Sequence, residues 1–230
     1  MKFNIWNREL VFNEDTKEIK FEDKIFTPSV RTYWDMKELY WKSFIEDDYW
    51  LYYMYRDVYF SEDDKKILKN NDIRYDITII IPKLINWEYN KTYWHYHPLN
   101  KNGKRYQELY QVLSWKAIYS QQKSDSVFFT QAQEWDAVNM EESFWHITIN
   151  PTEDKVLVMA NLVDDSFSSE YNEYKENKWW AYYFYNNWWK VNKNYTSVAD
   201  LKERKELYGS DSKSIYDDFI QTPEKFNYLH

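Results

Sequence analysis

Four side chains in this sequence have the types and spacing to hold a divalent metal ion. His95 and His97 stand one residue apart, Glu108 follows after a loop, and His146 arrives on a later segment. The chain has 4 histidines, so this set takes all but the terminal His230. Side chains of a strand alternate in direction, which puts His95 and His97 on one face. A carboxylate from the next strand and a third imidazole complete a four-ligand set. A single histidine on a strand is ordinarily packed or exposed without a ligand role; three with a carboxylate point to a metal. Imidazoles disfavour calcium, and a chain with no cysteine lacks thiolates, so the expected ion is Fe²⁺, Mn²⁺, Zn²⁺ or Ni²⁺.

The elements that must position these residues are short and mostly extended. A run from Asp72 to Ile81 is β-branched and stopped by Pro82. Strands are expected at 89–97, 109–113, 116–121, 127–131, 136–140, 146–149 and 155–161. Many short strands with turns between them indicate an antiparallel sandwich or barrel. Before residue 70, short strand-like pieces around Leu10, Ile19 and Ile25 precede one or two short helices over 31–48. An aromatic strand follows at Leu51–Tyr55, then a helical turn capped by Ser61. The stretch from Leu201 to Tyr208 has helical spacing. We expect one domain over 1–230, with an N-terminal arm and helices to about 70, a barrel core over about 72–163 and an extension over 164–230.

Composition excludes several classes. A net charge of -8 argues against a nucleic-acid surface as the main partner. No apolar run reaches the length of a membrane span, and the N-terminus is too polar for a signal-peptide core. A cytoplasmic protein is expected. One feature is abnormal: the chain has 2 glycines and 13 tryptophans, where glycine ordinarily makes up roughly 7% of a chain.

The spacing resembles a known family. His95-Tyr96-His97 with Glu108, and His146 with Asn150, resemble the two cupin motifs. More narrowly, Lys91-Thr92-x-x-His95-Tyr96-His97-Pro98, Tyr106-x-Glu108-x-Tyr110 and His146-x-Thr148-Ile149-Asn150-Pro151 resemble the cupin-type glucose-6-phosphate isomerases. Ile73–Pro82 and Leu157–Val163 fit the same family, and the likeness covers about 31–195. It implies an all-β-dominated fold: a cupin, the double-stranded β-helix or jelly-roll-like barrel, with short helices in the terminal additions. It also implies a homodimer acting on a phosphosugar.

Site roles come from the same resemblance. His95, His97, Glu108 and His146 match the metal ligands, and Glu108 and His146 the catalytic pair. Thr78 and Thr92 match threonines that hold the substrate phosphate, and Trp94 a glycine whose backbone N–H assists them. Tyr52, Tyr110 and Tyr171 match tyrosines lining the sugar site. Without the resemblance the threonines read as ordinary sheet residues, and the tyrosines as three among 23. Arg74 and Lys91 are chemically able to meet phosphate. By alternation Lys91 points away from Thr92, while Arg74 and Thr78 share a face.

The implied reaction is isomerisation of glucose 6-phosphate and fructose 6-phosphate (EC 5.3.1.9) in glycolysis and gluconeogenesis. Glu108 would move a proton between C1 and C2 through a cis-enediolate; a hydride shift is the other route. Two further readings stand beside it: a non-catalytic sugar or sugar-phosphate binding cupin, and a cupin Fe(II) dioxygenase.

The departures from the family share a direction. Trp94, Trp115, Trp135 and Trp145 stand at family glycines, as do Trp87 and the Trp179-Trp180 pair. Milder departures are Gln107 at a usual proline and Glu141-Glu142 at a usual proline pair. One codon accounts for the tryptophans: UGA reads as glycine in one variant code and as tryptophan in another. Many of the tryptophans are therefore expected to be glycine in the natural protein. UGG at codons 94, 115, 135 and 145 would refute this.

Overall fold

The structure, a computed structural model, describes residues 1–40, 47–167, 180–209 and 213–230. The N-terminal arm forms a four-stranded antiparallel sheet of β1 (Lys2–Ile5), β2 (Arg8–Phe12), β3 (Ile19–Phe21) and β4 (Lys24–Phe26). Next come β5 (Ser29–Thr32), helix α1 (Tyr33–Met36), β6 (Trp50–Tyr55), helix α2 (Glu62–Asn70) and β7 (Ile73–Ile80). Two short strands follow, β8 (Leu84–Ile85) and β9 (Glu88–Tyr89). The central run is β10 (Glu108–Ser114), β11 (Lys116–Lys123), β12 (Ser126–Gln133), β13 (Ala137–Met140), β14 (Trp145–Ile149) and β15 (Leu157–Asp164). The chain ends with β16 (Tyr182–Tyr185), β17 (Trp188–Val191), β18 (Leu201–Glu203) and helix α3 (Ile215–Gln221).

Two sheets face each other around the site. One has six strands in the order β13-β10-β15-β7-β6-β5, the other four in the order β14-β11-β12-β18. Their pairings are antiparallel except β12 with β18. The six-stranded sheet is buried on both faces, which is why β15 and most of β7 carry no exposed position. Period-2 alternation divides its residues between two cores. Tyr52, Ile80, Tyr110, Val112 and Met159 join the core that includes Ile118, Ile147 and Ile149 of the opposing sheet. Tyr53, Tyr75, Ile77, Leu109 and Leu162 face outward, where Phe3, Ile5, Leu10 and the α3 residues Ile215 and Phe219 cover them. Each buried aliphatic side chain contributes about 1.5–3 kcal/mol. The arm and the C-terminal helix therefore support the sheet that carries Glu108 from behind.

Local expectations are met where a side chain sets the backbone. Ser61 caps α2, its Oγ accepting from the Asp64 N–H at 3.0 Å. Two expectations fail. Leu201–Glu203 is a strand, because the open edge of β12 captures it with Val127 opposite Leu201; pairing overrides helical spacing. The 89–97 strand is reduced to Glu88–Tyr89 and isolated bridges at Lys91 and His95. There the Tyr93 N–H donates to the Tyr52 hydroxyl at 2.9 Å instead of joining a strand ladder. Of the helices expected over 31–48, α1 and a 3₁₀ turn at Lys37–Leu39 are present, and 41–46 lies outside the described residues.

The tryptophans divide into two conformational groups. Trp6, Trp87, Trp115 and Trp135 have φ of 54°, 74°, 77° and 75°, the left-handed region that favours glycine. Asn86 and Trp87 are the two residues joining β8 to β9, both with positive φ. That turn type prefers Asn-Gly. Trp115 alone connects β10 to β11, and Trp135 turns the chain between β12 and β13. Trp94, Trp145 and Trp180 are not among the positive-φ residues; they pack instead, at 2%, 4% and 0% exposure.

Candidate metal centre

β10 brings in Glu108 from the six-stranded sheet and β14 brings in His146 from the facing one. The segment after β9 lies across both, where His95 bridges His146. The three imidazoles converge on one oxygen. Glu108 Oε2 lies 3.4 Å from His95 Nε2, 3.3 Å from His97 Nε2 and 3.1 Å from His146 Nε2. One ligand atom from each residue falls within 4.8 Å of all the others. Metal–ligand bonds of about 2.0–2.2 Å imply separations of roughly 3.0–3.6 Å between ligands, so the donor set fits a divalent ion.

Neighbouring groups orient two of the rings. His97 Nδ1 lies 2.9 Å from the Tyr106 carbonyl and His95 Nδ1 lies 3.3 Å from the Tyr93 carbonyl. With an ion bound, each carbonyl would accept an Nδ1–H and leave Nε2 its lone pair; without one, the Nε2–H groups donate to Glu108. His146 Nδ1 is buried without a hydrogen-bond partner. Burial opposes ionisation of Glu108, but hydrogen bonds from His146, His95 and His97 outweigh it and hold the carboxyl well below its usual range. Burial, with the neighbouring His95, lowers the His146 imidazole to about 3. Both groups are thus in their ligating forms at neutral pH.

The His146 shift makes a prediction about the metal-free protein. Its folded pKa lies below the unfolded value of about 6.5, so the unfolded chain takes up the proton first. Stability is full above about pH 6.5 and falls as pH drops toward 3. Urea unfolding in chelator should show a loss of roughly 2–3 kcal/mol between about pH 6.5 and 4.5. His146→Gln should flatten that dependence; an unchanged slope would refute the assignment.

The cavity beside these residues is lined by the expected Tyr52, Thr78, Thr92 and Tyr110, together with His95, His97 and Glu108. Thr92 Oγ1 accepts from the Thr148 N–H at 3.0 Å, which leaves its own proton to donate. Burial and the nearby Glu108 carboxylate raise the Tyr110 hydroxyl well above the usual range, so it stays a donor. Trp94 does not line the cavity: its indole packs 5.0 Å from Trp180 and 5.7 Å from Trp145. Lys91 does face away, fully buried against Glu88 and the Leu39 carbonyl. Arg74 shares the cavity with Thr78, but its guanidinium binds Asp76 and Asp165 at 2.8 and 3.2 Å. Tyr171 lies outside the described residues. The sequence reading missed Arg31 and Arg56, which also line the cavity. Period-2 spacing from Tyr52 to Arg56 was the available signal.

Two facing β-sheets with three imidazoles and a carboxylate between them define a cupin with a candidate metal centre. Residues 30–200 match the family described as glucose-6-phosphate isomerase (GPI), and the chain belongs to that family. No curated protein matches the sequence. Among solved structures, the chain is similar to vicilin from Corylus avellana (hazelnut), at 12% identity and TM-score 0.44 over 66% of this chain and 36% of that one. It is also similar to Bacillus subtilis oxalate decarboxylase, at 16% identity and TM-score 0.40 over 55% of this chain and 29% of that one. The chain thus spans about a third of the length of these proteins. Among the described residues, no helix is long and apolar enough to cross a membrane.

Proposed function

We propose that the chain is a metal-dependent glucose-6-phosphate isomerase, interconverting glucose 6-phosphate and fructose 6-phosphate in the cytoplasm as a homodimer. The observation that carries the reading is the convergence of three imidazole nitrogens on Glu108 Oε2, in a cavity that also presents Thr78 and Thr92. Family membership supports a phosphosugar as the substrate class. His95, His97, Glu108 and His146 would hold one divalent ion, which when bound supplies Lewis-acid polarisation of the sugar's carbonyl. The Glu108 carboxylate is deprotonated and faces the cavity, so it can take a proton from one carbon and return it to the next. Tyr110 lines the same cavity with a hydroxyl that keeps its proton. Thr78 and Thr92 supply hydroxyl donors for the phosphate, and Tyr52 holds the Tyr93 backbone beside them.

The test is a coupled assay of fructose 6-phosphate conversion with added Mn²⁺ or Fe²⁺. Conversion abolished by chelator and restored by the ion supports the reading; no conversion in a glycine-restored chain that melts cooperatively refutes it. Product formed in deuterated water should carry solvent deuterium at C1 or C2. Complete retention of the original hydrogen would count against the Glu108 proton route.

A further inference from the structure

Hydroxyls alone are a poor site for a phosphate. A dianion leaving water needs a fixed cation as well as neutral donors. The cavity wall presents three arginines: Arg31, Arg56 and Arg74. Sheet register places them at different depths. Arg74 lies opposite Val163, which lies opposite Glu108, so it stands on the row of the metal centre. Thr78 is four residues further along β7, about 13 Å at roughly 3.3 Å per residue.

Arg56 and Arg74 also share a task. Both bind the buried carboxylate of Asp76, at 2.6 and 2.8 Å, and Arg74 reaches Asp165 as well. Withdrawing either guanidinium would strip charge from an Asp76 that is 1% exposed. Arg31 is placed differently. It lies on β5 opposite Tyr52, which lies opposite Ile80, two residues beyond Thr78 and on the same face. Its guanidinium carbon stands 5.2 Å from the centre of the Tyr93 ring. Tyr93 follows Thr92 directly, and its N–H is held by Tyr52. Arg31 and Thr78 thus stand on nearby rows at the cavity end away from Glu108's row, and the Tyr93 ring beside the Arg31 guanidinium follows Thr92 directly.

We propose that Arg31 is the cation that binds the substrate phosphate, and that it selects a dianionic sugar phosphate over the neutral sugar. The inference rests on the phosphosugar reading above. A planar guanidinium can offer two parallel N–H donors to one phosphate, while the threonine hydroxyls take the remaining oxygens.

Calorimetric titration of the metal-free protein with inorganic phosphate, in chelator, tests it without turnover. Arg31→Gln should weaken phosphate binding roughly 10- to 100-fold, the effect of losing a charge-assisted hydrogen bond. Arg31→Lys should recover part of the loss, and thermal melting of both variants should match the parent. Phosphate affinity within twofold of the parent in Arg31→Gln overturns the proposal, as does a parent that binds no phosphate. Where turnover is measurable, Arg31→Gln should raise KM for fructose 6-phosphate with kcat kept. Phosphate binding that depends on Arg31 in a glycine-restored chain that folds but lacks isomerase activity would sink the isomerase reading and leave Arg31 as an anion site. Isomerase activity with KM unchanged by the variant would do the reverse.

Discussion

Glu108→Gln should leave the fold standing while metal retention and turnover disappear together. The side chain is 4% exposed, and its Oε2 is the single point on which three imidazoles converge. Glutamine keeps the volume but removes the charge that offsets a divalent ion. Losing Lewis-acid assistance worth several kcal/mol lowers kcat/KM by about 10³ or more. If the carboxylate also moves the proton, a further factor of roughly 10²–10⁴ is lost. The two roles separate by comparison with His95→Gln. That variant removes one neutral ligand and keeps the carboxylate, so excess Mn²⁺ should restore much of its activity. Glu108→Gln should stay inactive even when metal analysis shows it loaded. Retention of both metal and turnover within tenfold in Glu108→Gln would remove the residue from the centre. Melting temperatures in chelator report whether either variant has simply unfolded.

The donor set was legible because its chemistry is rare in this chain. Three of 4 histidines with a carboxylate at strand spacing left few other arrangements. Strand alternation accounts for their placement only in part. His95 and His97 are held by carbonyls of Tyr93 and Tyr106 and by a bridge to His146, not by a regular strand. A tyrosine side chain, the Tyr52 hydroxyl, replaces the ladder at Tyr93. Such a long-range partner, 41 residues away, leaves no trace in local alternation. The same limit hid Arg31, whose position follows from its register against Tyr52 and not from its neighbours in sequence. Leu201–Glu203 shows the converse: a helical pattern is real in the sequence but an open sheet edge takes the segment. Arg74 and Thr78 were readable as one face because period-2 alternation alone puts them there, and both line the cavity.

Replacing tryptophan by glycine should have opposite effects at the two groups of positions. At Trp87, 63% exposed with φ of 74°, glycine relieves a left-handed strain of roughly 1–2 kcal/mol. Against this stands the greater freedom of glycine in the unfolded chain, roughly 0.4–1 kcal/mol. The net is a stabilisation of about 1 kcal/mol, or roughly 2–4 °C in melting temperature for a chain of this size. At Trp94, 2% exposed and packed on Trp145 and Trp180, glycine removes a buried indole. The expected loss is about 3–5 kcal/mol. Alanine distinguishes backbone from side-chain effects. It deletes the indole at either site but keeps a Cβ, so it cannot relieve a positive φ. Glycine should therefore exceed alanine in stability by about 1 kcal/mol at Trp87, Trp115 and Trp135. At Trp94 and Trp145 the ordinary order, alanine above glycine by roughly 0.5–1 kcal/mol, should hold. Alanine above glycine at Trp87 and Trp115 would show that these turns accept a side chain without strain. A glycine origin for those codons would then lose its conformational support. The predicted reversal would mean that the turns joining β8 to β9 and β10 to β11 were shaped for glycine, whichever residue now occupies them.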